Sequence, residues 1–216
     1  MRYLCVFLLA TAAALAQPFG FGIRGGVPMN DFINGAQSQN FAFVTSTNRY
    51  IVGPTAELRL PFGLGVSVDA LYRHYNYNGS GSTSGITSTS ISSTTSGGAW
   101  EFPLLGKYHF KGTKLLLFHP FVEAGVAWDK LSGLTQTVTS TVAGITKTTS
   151  TSNPAELNKN VTAGFVIGGG VELKILLLHI APEIRITRWG SQHFIDPNGL
   201  LHSNQNQAEF LVGFTF

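Results

Sequence analysis

The sequence predicts an all-β fold, an eight-stranded antiparallel up-and-down barrel that crosses a membrane with its strands. Three observations predict it. Eight segments alternate with a period of two, branched or aromatic residues on one phase and small or charged residues on the other. The connections between them run long, short, long, short, long, short, long, as a meander with all its long loops on one side requires. When phase is set by the apolar residues alone, every mid-strand charge falls on the opposite phase.

Composition sets the frame for these segments. The chain has 216 residues, 44% of them hydrophobic, which bounds it to one domain or two small ones and excludes general disorder. Its charged share is 12%, against about a quarter in ordinary soluble domains, so part of its surface faces something other than water. Lys and Arg number 14 against 11 Asp and Glu, with no basic run, which argues against nucleic acid as a partner.

Residues 1–16 have the pattern of a signal peptide: Arg2, an apolar run from Tyr3 to Leu9, then Ala14-Leu15-Ala16 before a cleavage point between Ala16 and Gln17. The apolar run is too short to cross roughly 30 Å of hydrocarbon as a helix. The single cysteine, Cys5, lies in this segment, so residues 17–216 contain no thiol for a disulfide, a catalytic nucleophile or a metal site. After residue 17 no apolar stretch reaches the length of a spanning helix, and the remainder is expected to be one barrel domain.

Taken in order, the strands fall near 18–28, 50–60, 64–77, 99–110, 117–131, 159–173, 178–189 and 206–216. The first carries Arg24 on its polar phase, and the second Glu57 and Arg59. The third sets Leu64, Val66, Val68, Ala70 and Tyr72 against Gly65, Ser67, Asp69, Leu71 and Arg73. The fourth holds Glu101 and Lys107 on the polar phase. The fifth sets Val122, Ala124, Val126 and Trp128 against Glu123, Gly125, Ala127 and Asp129. Glu172 marks the polar phase of the sixth, and Glu183 and Arg185 that of the seventh. The eighth sets Phe210, Val212, Phe214 and Phe216 against Glu209, Gly213 and Thr215. Prolines 54, 103, 120 and 182 lack a ladder donor and are expected at bulges or strand ends.

The short connections are residues 61–63, 111–116 and 174–177; the long ones are 29–49, 78–98, 132–158 and 190–205. Gly79–Gly98 and Leu131–Asn153 are Ser/Thr/Gly-rich tracts with little apolar surface to bury, and are expected to be solvated loops without fixed structure.

Phase alone fits either a soluble barrel with an oily interior or a membrane barrel with an oily exterior. The aromatic positions select the second. Tyr50, Tyr72, Trp100 and Trp128 lie on the apolar phase at the long-loop ends of their strands, and Tyr108, Phe110, Phe118 and Phe216 lie on it near the short-turn ends. That is a pair of aromatic girdles, and strands of about eleven residues are the length a tilted membrane strand needs.

At this point the chain resembles a known family. Gly22-Ile23-Arg24-Gly25-Gly26-Val27-Pro28, Glu101-Phe102-Pro103-Leu104-Leu105-Gly106-Lys107-Tyr108, Pro120-Phe121-Val122-Glu123-Ala124-Gly125, Pro182-Glu183-Ile184-Arg185 and the closing Phe216 are similar, in their order, to the small outer-membrane β-barrel proteins (OmpA/OmpX-like, "porin family") of Gram-negative bacteria. The resemblance implies a bacterial outer-membrane location in contact with outer-membrane lipid, with both termini in the periplasm. It also implies a terminal aromatic, Phe216, read by the barrel-assembly machinery. The chain departs from the family in the length of its Ser/Thr-rich loops and in having no domain after Phe216, so no peptidoglycan tether is expected.

The lumen of eight strands is just filled by side chains, so eight acids and five bases on its phase are expected to pair into a structural salt-bridge core. A structural role, or surface interaction with a ligand or host partner through the loops, is the expected function, with no enzymatic site and no cofactor. The first alternative is a narrow pore for small solutes or ions, whose wall is thinned by glycines 65, 106, 125, 164, 168, 169, 170 and 213. The second is a lipid-modifying enzyme, for which His74, Ser191 and His193 are the candidate residues near the long-loop rim. The six histidines show no ligand-like spacing, and no metal site is expected.

Overall fold

The computed structural model describes residues 19–45, 49–83, 88–110, 118–175 and 177–216. The expected signal segment 1–16, its cleavage at Ala16 and Gln17, and the connection 111–116 lie outside the described residues. The strands are β1 (Phe19–Pro28), β2 (Ile33–Gly35), β3 (Phe41–Thr45), β4 (Ile51–Arg59), β5 (Leu64–Asp69), β6 (Leu71–Thr83), β7 (Thr89–His109), β8 (Phe118–Val142), β9 (Ile145–Thr151), β10 (Val161–Ile175), β11 (Leu178–Trp189), β12 (Leu201–Ser203) and β13 (Asn206–Thr215). Around the barrel the order is β1, β4, β5 with β6, β7, β8, β10, β11, β13 and back to β1, each pair antiparallel. It is a closed eight-stranded meander, sealed where β1 meets β13 from Gly22 opposite Thr215 to Pro28 opposite Glu209.

Closure satisfies the backbone edges that an open sheet would leave unpaired, the condition for strands in hydrocarbon. It also aligns the two phases. Phe21, Ile23, Val68, Leu104, Val122, Phe165, Ile167, Ile184 and Ile186 form an exposed apolar band around the outside. Arg24, Asp69, Glu101, Glu123 and Arg185 point inward and are buried. Glycines let the inner wall come together. A Cβ at Gly22 would lie 1.7 Å from the carbonyl oxygen of Phe214, and one at Gly125 2.1 Å from that of Leu104.

The expected third strand is split. β5 ends at Asp69 and β6 begins at Leu71, yet both keep one register against β4, Thr55 opposite Asp69 and Val52 opposite Tyr72. Pro54 lies on one side of Ala70, accepting its N–H at 3.0 Å, and on the other side β7 loses its ladder to this strand around Pro103, between Glu101 and Leu104. Two donor-less prolines therefore flank the break. Pro182 acts alike: the β10–β11 ladder lapses between Gly170–Glu183 and Leu173–Ile180 and resumes in the same register. These prolines interrupt hydrogen bonding without the bulges expected for them, because the missing donor removes a bond and inserts no residue. Pro120 lies near the start of β8, a strand-end position.

The Ser/Thr-rich tracts are the larger departure from expectation. The described residues of these tracts, 79–83, 88–98 and 131–153, are largely β-structure, not irregular loops: β6 pairs β7 out to Thr83 opposite Thr89, and β8 turns at Ala143-Gly144 into β9. Both turn residues have positive φ, 49° and 81°, as a tight two-residue hairpin requires. Low apolar content is no obstacle because these segments start from a ladder anchored in the barrel wall, and β-branched Thr suits a pleated strand. Facing hydroxyls add cross-strand bonds, Thr137 to Ser150 at 3.1 Å, Thr139 to Thr148 at 3.2 Å and Thr141 to Thr146 at 2.9 Å. The result is a wall in the order β3, β6, β7, β8, β9 on one side of the rim. From Trp100 to Thr89 β7 climbs eleven residues, about 36 Å at strand rise. A register shift between Ser96 and Gly98 marks where the wall leaves the barrel.

Candidate functional site

The inward side chains make three tiers. The middle tier lies at the centre of the lumen, where Arg24 (β1), Asp69 (β5), Lys107 (β7), Glu123 (β8), Glu183 and Arg185 (β11) converge, all buried. Arg185 is its hub: Nη1 donates to Asp69 Oδ2 at 2.7 Å, Nε to Glu123 Oε1 at 2.7 Å, and Nη2 lies 2.9 Å from Glu183 Oε1. Arg24 pairs with Asp69 and lies 3.1 Å from Glu183, while Lys107 Nζ lies 3.4 Å from Glu123 and 3.6 Å from Glu183. The Thr55 hydroxyl donates to Asp69 at 2.6 Å. Three cations face three carboxylates, so the tier is neutral, as a buried cluster must be.

Toward the long-loop end, Arg73 pairs with Glu101, lies 3.2 Å from Glu209 and donates to Gln207 at 2.7 Å. Asp129 faces His193 Nε2 at 3.6 Å. Above this tier sits a cluster that phase analysis could not find: Phe32, Ile33, Phe43, Tyr75, Tyr77, Ala99, Leu131, Phe194 and Leu201. It joins the two long loops that carry β2, β3 and β12 to the inner face of the rising wall. Phe194 packs on Tyr75 and Tyr77 at 5.7 and 5.5 Å, and the Arg73 guanidinium lies against the face of the Phe32 ring at 5.2 Å, stacking the cap directly on the charges. Tyr75 and Tyr77 lie beyond the girdle, and burial pushes both phenols above their ordinary value of 10. The signal was in the sequence as isolated aromatics within long loops, but only the pairing of β2 with β12 shows that they meet.

At the short-turn end, Arg59 is half-buried between Glu57 and Glu172, 3.8 Å from each. His109 Nε2 lies 3.3 Å from Glu172 and 3.9 Å from Glu57, and His179 Nδ1 is 2.7 Å from Glu172. The histidines escape a spacing search because they come from β7 and β11, far apart in sequence. Each nevertheless lies on the inward phase, two residues beyond Lys107 and four before Glu183, and parity with the charges would have found them.

The girdle residues lie on the outer surface. Tyr50, Trp100 and Trp128 are exposed at the long-loop end, with Tyr72 half-buried against Trp100 at 5.1 Å. Tyr108, Phe110, Phe118 and Phe216 are exposed at the other. The three candidate catalytic residues are not brought together. His74 shares the outward phase of Tyr72 on β6, Ser191 bonds the Thr162 hydroxyl at 2.9 Å, and His193 is buried beneath the cap. β7 and β8 stand between β6 and β10 in the sheet.

A family profile described as "Outer membrane protein beta-barrel domain" matches residues 15–190. No curated protein matches the chain. Among solved structures it is similar to the outer membrane protein OprG from Pseudomonas aeruginosa, at 11% identity and TM-score 0.47 over 92% of this chain and 94% of that one. It is similar also to Neisserial surface protein A (NspA), at 11% identity and TM-score 0.44 over 91% and 94%. A third is the N-terminal β-barrel domain of Pseudomonas aeruginosa OprF, at 14% identity and TM-score 0.36 over 93% and 98%.

Proposed function

The chain belongs to the outer membrane protein β-barrel domain family, and from that premise we propose that it is a closed, non-conducting barrel whose work is done by the wall it raises above the membrane. The observation that carries this reading is the double obstruction of the lumen, a neutral ion-paired tier capped by packed aromatics. An ion crossing it would have to displace Arg185, which is fully buried among three carboxylates. Removing one partner of such a cluster costs about 3–5 kcal/mol, so an arrangement with that contact broken is a minor population.

In this reading the chain matures at Gln17 and lies in the outer membrane of a Gram-negative bacterium, with lipid against its apolar band. The wall and long loops face outward, both termini face the periplasm, and Phe216 is the residue met by the assembly machinery. The wall offers hydroxyl-rich strands and an open edge at β9, all of whose residues are exposed. That suits contact with a surface ligand or host partner more than transport or lipid chemistry, for which the described residues form neither an open passage through the lumen nor a triad at the rim.

Conductance of the barrel in planar bilayers tests it. The wild-type protein is expected to be silent, and steps whose size changes on Arg73→Ala or Glu123→Ala would establish a pore lined by those charges and overturn the proposal. On whole cells, protease should cut within residues 132–158 and leave the barrel intact; a soluble periplasmic product would also overturn it.

A further inference from the structure

The short-turn mouth of the lumen holds a group of atoms that the ion-pair scheme does not use. Glu57 Oε1 and His109 Nε2 are buried with no hydrogen-bond partner, although each lies close to the other. The Glu57 side chain is only 4% exposed. One ligand atom from each of Glu57, His109 and Glu172 lies within 4.8 Å of the others. Arg59 balances charge here, but at 3.8 Å from each carboxylate it satisfies neither by a hydrogen bond.

The geometry points to a binding site for a divalent first-row transition-metal ion, held by His109 Nε2, Glu57 and Glu172. Bonds of about 2.0–2.2 Å to nitrogen and oxygen in a tetrahedral arrangement put ligand atoms about 3.3 Å apart. The His109–Glu172 separation is already 3.3 Å and the His109–Glu57 separation 3.9 Å, so little movement closes the set. An imidazole among the ligands selects zinc-like ions over magnesium or calcium, which take oxygen alone. His179, 2.7 Å from the other oxygen of Glu172, supplies the outer contact that orients a ligating carboxylate. A cavity of 260 Å³ lined by His109, His119, Glu172 and His179 together with Arg59 and Lys174 opens the site to the mouth and leaves room for a water as fourth ligand. Arg59 and Lys174 set two cations against the two carboxylates, but Arg59 Nη2, the nitrogen 3.8 Å from Glu172, is already engaged with the Thr215 hydroxyl at 3.1 Å, which leaves the carboxylate oxygens to a bound cation. This inference holds whichever way the barrel faces.

Zinc titrated calorimetrically into the untagged, folded barrel in detergent tests it. One site is expected, weakened at least 10-fold by His109→Ala and by Glu57→Gln, tightened by Arg59→Gln, and unaffected by millimolar Mg²⁺ or Ca²⁺. Heat-modifiable gel mobility shows which variants fold. Should either fail to fold, the visible spectrum of Co²⁺ bound to the wild-type barrel decides, tetrahedral bands being expected. No zinc binding, wild-type affinity in either ligand variant, displacement by Mg²⁺ or an octahedral Co²⁺ spectrum would each overturn the site.

Discussion

Replacing Arg185 by methionine tests the middle tier at its centre. The guanidinium contacts Asp69 and Glu123 at 2.7 Å and Glu183 at 2.9 Å, with no exposed surface. At an effective dielectric of about 20, each contact is worth about 6 kcal/mol before desolvation, and desolvating each ion takes back several kcal/mol. The net effect follows from what stays behind. Asp69 keeps Arg24 and the Thr55 hydroxyl, Glu123 keeps Lys107, and Glu183 keeps Arg24 and Lys107. Two cations then face three carboxylates, and one buried charge is uncompensated. The expected loss is about 3–5 kcal/mol, two to three and a half orders of magnitude in the folding equilibrium. Urea unfolding in detergent, followed by tryptophan fluorescence and by gel mobility, measures it. Adding Glu183→Gln to Arg185→Met restores charge parity and should recover most of the loss. A single variant within 1 kcal/mol of wild type, or a double variant no better than the single, would refute the account of the tier as a charge-balanced plug.

Other perturbations separate the parts of the molecule. Arg49→Ala, which removes an exposed pair with Asp31 at 3.3 Å, should change the same unfolding curve by less than about 0.5 kcal/mol. Gly22→Ala puts a methyl against the Phe214 carbonyl and should cost about 3 kcal/mol or block folding, visible as loss of the heat-modifiable band. Replacing Val138–Thr149 by an Asn-Gly turn shortens the projecting hairpin and removes the β8 partners of Thr89–Ser93, all of it above the barrel, and the barrel's unfolding free energy should move by less than about 1 kcal/mol. Burial makes the Tyr75 and Tyr77 phenols harder to ionise, so the unfolded chain loses protons above pH 10 while the cap does not. Stability should therefore fall as pH rises past 10, and Tyr75→Phe with Tyr77→Phe should flatten that fall in a pH series of unfolding midpoints.

What was legible in the sequence followed from the period of two. Arg24, Asp69, Glu123 and Arg185 reach the lumen because strand parity allows no other place for them once Ile23, Val68, Val122 and Ile184 face out. Parity says nothing about height along the barrel, so it gave no sign that Arg185 would meet Asp69 across the lumen while Arg73 serves another tier. Nor does it apply to loops. Phe32, Phe43 and Phe194 lie in long connections, and their meeting depends on β2 pairing with β12, a contact between residues far apart in the chain. The Ser/Thr tracts misled for a different reason. Their composition speaks to whether a segment can fold alone, whereas each is templated by a neighbour already fixed in the barrel.

These features bear on one another. An eight-stranded lumen could be filled by apolar packing, which would be as stable as an ion-paired one and simpler to build. The charges make sense if the inside must stay polar during insertion while the outside meets lipid, since parity then leaves no doubt which face is which. The cap and wall extend the same logic upward. Tyr75 and Tyr77 face inward on the rising β6 and bury against Phe194, so the lower wall is held by the loops it encloses, and only above it do hydroxyl ladders take over. A wall held at its base and exposed at β9 transmits little to the lumen. It follows that changes to the projecting strands should leave the plug undisturbed, so that the barrel's stability and the form of the wall can be altered separately.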